Sequence, residues 1–204
     1  MKMAERNGWR TLVGAGIAAG CIAATAAAAP GVRTAAELPT HAAVEHGRVE
    51  VSVQARQVSF YNDGERVATY SIGVGSEEWP TRTGEWHIHQ IDFNPDWTPP
   101  DEGWASDESY KAPGHPDNPM GRIRIVYDPP RSIHGTDDEE SIGGAESHGS
   151  IRIRNEDGYA LARHLMAASG DPRGDEFWSS VQENESEMVT VDLSNPIPIR
   201  VREE

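Results

Sequence analysis

Hydrophobic and polar residues alternate with a period of two at the start of the folded part of this chain. Val49, Val51 and Val53 are separated by polar residues, and Val58 and Phe60 run into Asn62-Asp63-Gly64. Alternation of this kind marks half-buried strands, and an Asn-Asp-Gly run tolerates the positive φ of a tight hairpin turn. Residues 67–74 are the expected partner strand. Further strands are expected at 85–91, 122–127, 150–153, 188–193 and 197–201. The period changes to a helical one only late in the chain. Leu161, Leu165 and Met166 share one face of a helix expected over 156–169, with Asn155 as its N-cap, and a second helix is expected over 175–184. Residues 92–120 carry no regular pattern, and a loop that long in a compact domain is usually functional. The expected fold class is mainly β, with one or two helices.

The N-terminus follows a different logic. Lys2, Arg6 and Arg10 precede a Gly/Ala-rich apolar run over residues 11–29, which then meets Pro30 and Gly31. This is the layout of an export signal. Three routes stay open: cleavage near Ala26 or Ala28, lipid attachment at Cys21 within Ala18-Ala19-Gly20-Cys21, and an uncleaved anchor. The expected organisation is a signal peptide or membrane or lipid anchor at 1–29, a linker at 30–47 and one domain at 48–204. Cys21 is the single cysteine, so the expected domain holds neither a disulfide nor a thiol nucleophile. The formal net charge of −15 argues against nucleic acid and anionic lipid as partners, leaving the membrane to the N-terminal segment alone.

Candidate chemistry is concentrated in two runs. Ile133-His134-Gly135-Thr136 precedes Ser147-His148-Gly149-Ser150-Ile151-Arg152-Ile153-Arg154-Asn155-Glu156-Asp157. Pro80-Thr81-Arg82-Thr83-Gly84-Glu85-Trp86 and Asn118-Pro119-Met120-Gly121 lie upstream. Together, and in this order, these runs resemble the L,D-transpeptidase (YkuD-type) family of bacterial cell-wall enzymes over roughly residues 49–201. The family pattern reads Ile-His-Gly-Thr followed by Ser-His-Gly-Cys-(Ile/Val)-Arg, so this chain departs from it at the nucleophile, where Ser150 replaces cysteine.

The resemblance implies an L,D-transpeptidase-type β-sandwich or barrel whose helices follow the nucleophile motif. It assigns His134 as general base and Ser150 as nucleophile, with Ser147, His148 and Gly149 as oxyanion or orienting residues. Ser147 would orient a histidine through its hydroxyl. Arg152 would bind a substrate carboxylate, or equally form an ion pair with one of the many acids. Trp97, in Trp97-Thr98-Pro99-Pro100, resembles a substrate-cleft element on a loop over the site, or packs that loop. The implied activity is acyl transfer on peptidoglycan stem peptides in the periplasm or cell envelope, to an amine, water or an envelope protein acceptor, with no cofactor. A hydroxyl does not ionise near neutrality as a thiol does, so Ser150 is expected to cost several orders of magnitude in rate. Two alternatives follow: an inactive family member that binds peptidoglycan or an envelope partner, and a serine carboxypeptidase or esterase. A zinc site from His87, His89, His115 and His134 competes weakly, because neither a His-Glu-x-x-His run nor a cysteine pair supports it, and no metal is expected.

Overall fold

A computed structural model describes residues 47–204, so the expected leader at 1–29, nearly all of the linker and Cys21 lie outside the described residues. The chain forms β1 (Gly47–Ser52), β2 (Gln57–Asn62), β3 (Glu65–Gly75), β4 (Gly84–Phe93), β5 (Ile123–Asp128), β6 (Arg131–Thr136), β7 (Ala145–Ser147) and β8 (Ile151–Arg154). Helices α1 (Asn155–Ser169) and α2 (Asp175–Glu183) follow, and β9 (Val189–Arg202) closes the fold. The strand order is β2-β1-β9-β4-β5-β6-β8-β3-β7, and an additional β2–β3 pairing joins the two sides. The sheet therefore closes on itself into a barrel, with β7 appended to β3. Closure removes the exposed edges that an open sheet of this size would present.

Local chemistry explains the connections. Asp63 at φ 49° and Gly64 at φ 85° make the β2–β3 turn, as the Asn-Asp-Gly run requires. Strand β9 joins two segments that the hydrophobic pattern separates, 188–193 and 197–201. Its ladder with β4 jumps between Ile88, opposite Ile197, and Gln90, opposite Asp192. The intervening residues, Pro196 among them, leave the ladder, which is where a residue without an N–H is tolerated. Strands β6 and β7 arise where that pattern marks no strand. All of β6 beyond Arg131 is buried, so its two faces do not differ in exposure, and Ile133 is its one large apolar side chain.

Helix α1 lies against the barrel through Tyr159, Leu161, Ala162, Leu165 and Met166. Gly158 permits the close approach, since a Cβ there would stand 2.6 Å from Cγ2 of Ile123. Phe93 then receives Tyr159, Phe177 and Trp178 at centroid separations of 5.3 to 5.8 Å, tying both helices to β4. Asn155 is not the N-cap expected from its position. Arg154 occupies that place, and the Asn155 side chain reaches across to other loops. Among the described residues, no helix is long and apolar enough to cross a membrane.

Candidate active site

Strands β5, β6 and β8 pair side by side, and each presents alternate residues to opposite faces. Ile133 stands opposite Ile151 and Ile125, while His134 stands opposite Arg152 on one side and Arg124 on the other. The isoleucines face α1 and the core. The second face carries Arg124, Ser132, His134 and Arg152, and Ser150 joins it one residue before the β6–β8 register begins. There the Ser132 N–H approaches the Ser150 hydroxyl oxygen at 3.4 Å. The two runs picked out in the sequence are thus brought together by parallel pairing of the strands that hold them.

His134 is 4% exposed. Its Nδ1 lies 2.8 Å from the carbonyl oxygen of Gly135. A carbonyl can only accept, so Nδ1 carries the hydrogen and, in the neutral ring, Nε2 holds the lone pair. The His134 pKa is pulled down to about 4, chiefly by burial and also by the Arg152 and Arg124 guanidiniums, against the opposing pull of the Gly135 and Pro119 carbonyls. At neutral pH the imidazole is therefore in its base form, although a weak base.

The Gly135 carbonyl is itself held in place. Asn155 accepts from the Arg122 N–H at 2.8 Å and donates to the Thr136 carbonyl and to Asp137 at 3.3 and 2.8 Å. A Cβ on Gly135 would stand 2.1 Å from the Asn155 amide oxygen, so the loop and the start of α1 fit only with glycine there. This clamp is a site-building feature, one of the two roles, helix cap or site residue, that the sequence leaves equally open for Asn155.

The Ser147 hydroxyl donates to the backbone carbonyl of Ser150, closing the turn that presents Ser150. It therefore orients that turn and not a histidine. Gly149 within the turn has φ 94°, a conformation that favours glycine. His148 is exposed and stacks on Trp104 at 3.9 Å between centroids and 9° between planes, with Trp79 at 5.8 Å on its other flank. The long loop thus meets the site through Trp104. Trp97 is buried instead, and its backbone exchanges two 2.9 Å hydrogen bonds with Lys111. Asn118 anchors the same loop by donating to the Pro95 and Ala112 carbonyls.

Arg152 is partly exposed and forms an ion pair with Asp138 at 3.5 Å. Behind His134 the polar row continues through Arg124 to Asp92, which is fully buried. Asp92 receives Arg124 at 2.9 Å, Thr190 at 2.8 Å and Gln90 at 2.7 Å. Nothing in the motifs pointed to Asp92 or Arg124, though the alternation of β5 already sets Arg124 opposite the isoleucine face. Among the described residues, no three His, Cys, Asp or Glu side chains converge as metal ligands. His87 and His89 do lie near one another, at 6.1 Å, but His134 belongs to a different strand cluster.

The arrangement can polarise a nucleophile at Ser150 and hold a rigid, neutral imidazole in the same row of strands. Comparison with known proteins identifies the family. The family model for the L,D-transpeptidase catalytic domain, YkuD, matches residues 46–183. The chain is 32% identical over 126 residues to a probable L,D-transpeptidase, YbiS, of Escherichia coli strain K12, covering 56% of this chain and 40% of that protein. It is 33% identical over 117 residues to a probable L,D-transpeptidase, ErfK/SrfK, of the same strain, covering 53% of this chain and 38% of that protein. It thus spans well under half the length of these relatives. An L,D-transpeptidase structure from Mycobacterium smegmatis is 15% identical with a TM-score of 0.49, covering 77% of this chain and 58% of that one. With more than half of the chain inside the matched region, this protein belongs to the L,D-transpeptidase catalytic-domain (YkuD) family.

Proposed function

We propose that this protein performs the family's acyl transfer on peptidoglycan stem peptides at the bacterial cell envelope, with Ser150 as nucleophile and His134 as general base. The observation that carries this reading is His134 itself: buried, neutral at physiological pH, fixed through Nδ1 by Gly135 and set in the strand beside Ser150. In the first step the Ser150 oxygen attacks the carbonyl carbon of the third stem residue, and its proton passes to Nε2. The bond to the terminal D-residue breaks and the departing amine takes the proton, leaving an ester on Ser150. An amine of a second stem, an envelope protein or water then takes the acyl group. The N–H groups around Gly149 and Ser150 stabilise the oxyanion, and Arg152 binds a carboxylate. The segment at 1–29 directs export, either as a cleaved signal peptide or as a membrane or lipid anchor.

A second reading has its own support. An imidazole with a pKa of about 4 suits a thiol, which needs little help to ionise, better than an alcohol. The hydroxyl of Ser150 is met by the Ser132 N–H. These features favour a protein that binds stems without turnover. One experiment decides: the full chain, Ser150→Ala and Ser150→Cys are incubated with disaccharide-tetrapeptide or a carbapenem and weighed by mass spectrometry. An acyl adduct on the natural chain that is lost in Ser150→Ala establishes the serine enzyme. An adduct confined to Ser150→Cys establishes the binding protein.

A further inference from the structure

Beside the Ser147–Ser150 turn lies a pocket of about 280 Å³ lined by Glu78, Trp79, Pro80, Arg82, Arg131, His148 and Gly149. Two guanidiniums face it from different parts of the chain. Arg82 belongs to the segment before β4, and Arg131 opens β6, next to the Ser132 whose N–H approaches Ser150. Arg131 Nε stands 3.6 Å from the position a Cβ on Gly149 would take, so the charge lies against the backbone of the nucleophile turn.

Their only ionic partner among the described residues is one carboxylate. Asp128 Oδ2 is 3.7 Å from Arg82 and 3.5 Å from Arg131, and no hydrogen bond joins it to either. That oxygen is buried, whereas the Arg82 and Arg131 side chains are 63% and 38% exposed. One half-buried acid thus holds two arginines from beneath without a hydrogen bond to either, which leaves guanidinium N–H groups unclaimed among the described residues. The pocket cannot suit a polyanion, since Glu78 lines it as well and the chain carries a net charge of −15. A ligand bearing one carboxylate fits these unclaimed donors, because guanidinium presents paired N–H groups to the two oxygens of a carboxylate.

We infer that Arg82 and Arg131 form a carboxylate subsite that reads the free C-terminus of the stem peptide bound beside Ser150. This rests on the stem-peptide reading above, and it makes the terminal carboxylate a determinant of specificity. The subsite places the departing residue against Gly149 and is separate from Arg152, which stands opposite His134 on β8.

The test is equilibrium binding to the full chain, followed by tryptophan fluorescence. The probes are disaccharide-tetrapeptide with a free C-terminal carboxylate and the same molecule amidated at that carboxyl. The wild type is expected to prefer the free acid by tenfold or more. Arg131→Gln and Arg82→Gln should each reduce that preference about tenfold, and Arg131→Lys should restore part of it, with thermal melting confirming that each variant is folded. Equal binding of acid and amide by the wild type, or an undiminished preference in both Gln variants, overturns the subsite and leaves the stem-peptide reading standing. Binding of neither probe by the wild type overturns both.

Discussion

The two faces of the β5–β6–β8 ribbon differ more than any two regions of the molecule, although they alternate residue by residue along the same strands. One face is Ile123, Ile125, Ile133, Ile151 and Ile153, all with no measurable exposure, sealed by α1. The other is Arg124, Ser132, His134, Ser150 and Arg152, with Asp92 behind. The first face is redundant: many apolar contacts add up, and each tolerates adjustment. The second is specified atom by atom, because buried polar groups are costly unless each has its partner. The same strands therefore supply apolar packing on one side and the candidate site on the other, and register couples them. A slip of one residue would exchange isoleucines for arginines.

The largest expected effect separates the faces by activity. In the Ser150→Cys background, His134→Gln removes the base and should lower the acylation rate by about 10²- to 10⁴-fold. Its fold should survive, because glutamine can still offer a donor toward the Gly135 carbonyl. Ile153→Ala on the opposite face should do the reverse: a loss of about 2–5 kcal/mol in urea unfolding, with the acylation rate per folded molecule nearly unchanged. Acylation in Ile153→Ala falling as steeply as in His134→Gln would show that the two faces are not separable.

The pH dependence sharpens the contrast further. His134 is held at about 4 in the folded state against 6.5 in the unfolded chain, chiefly by burial. A depressed histidine means that the unfolded chain binds the proton first. Stability is therefore complete above pH 6.5 and lost as pH falls from there toward 4, by roughly 3 kcal/mol in all. Urea unfolding at pH 7 and pH 4 measures this, and the part of the loss due to His134 should vanish in His134→Gln.

How much of this was visible in the sequence follows the same division. Alternation is plainest in β1 and β5, which bury every second residue. It missed β6, where the buried residues Ser132, His134 and Thr136 are polar and Ile133 is the one large apolar side chain, so the strand that carries His134 was recognisable only through the Ile-His-Gly-Thr run. The motifs identified His134, Gly149 and Ser150, but not what positions them. Asn155 read as a helix cap or, as plausibly, a site residue, since Asn before a helical run is often a cap. Its actual partners, Arg122 and Thr136, are remote in sequence. Asp92 and Arg124 were silent for the same reason: an ion pair formed across two strands leaves no local signature. Trp97 stood out through its Trp-Thr-Pro-Pro run, yet it is buried, and the path of the loop brings Trp104 onto His148 instead.

The smallest expected effect tests whether a contact on the polar face can be lost without consequence for the other. Ser147 is 3% exposed and spends its hydroxyl on the Ser150 carbonyl. Ser147→Ala keeps the volume and the strand position in β7 but leaves that carbonyl without this donor. The cost to stability should be about 1 kcal/mol, the usual net value of one hydrogen bond. The turn itself remains, since Gly149 at φ 94° and the β6–β8 ladder still define it. What changes is how tightly Ser150 is aimed, so in the Ser150→Cys background acylation should fall by about tenfold more than binding does. A drop in binding affinity equal to the drop in rate would mean that Ser147 shapes the cleft and not the nucleophile, and would move it from the chemical face to the structural one.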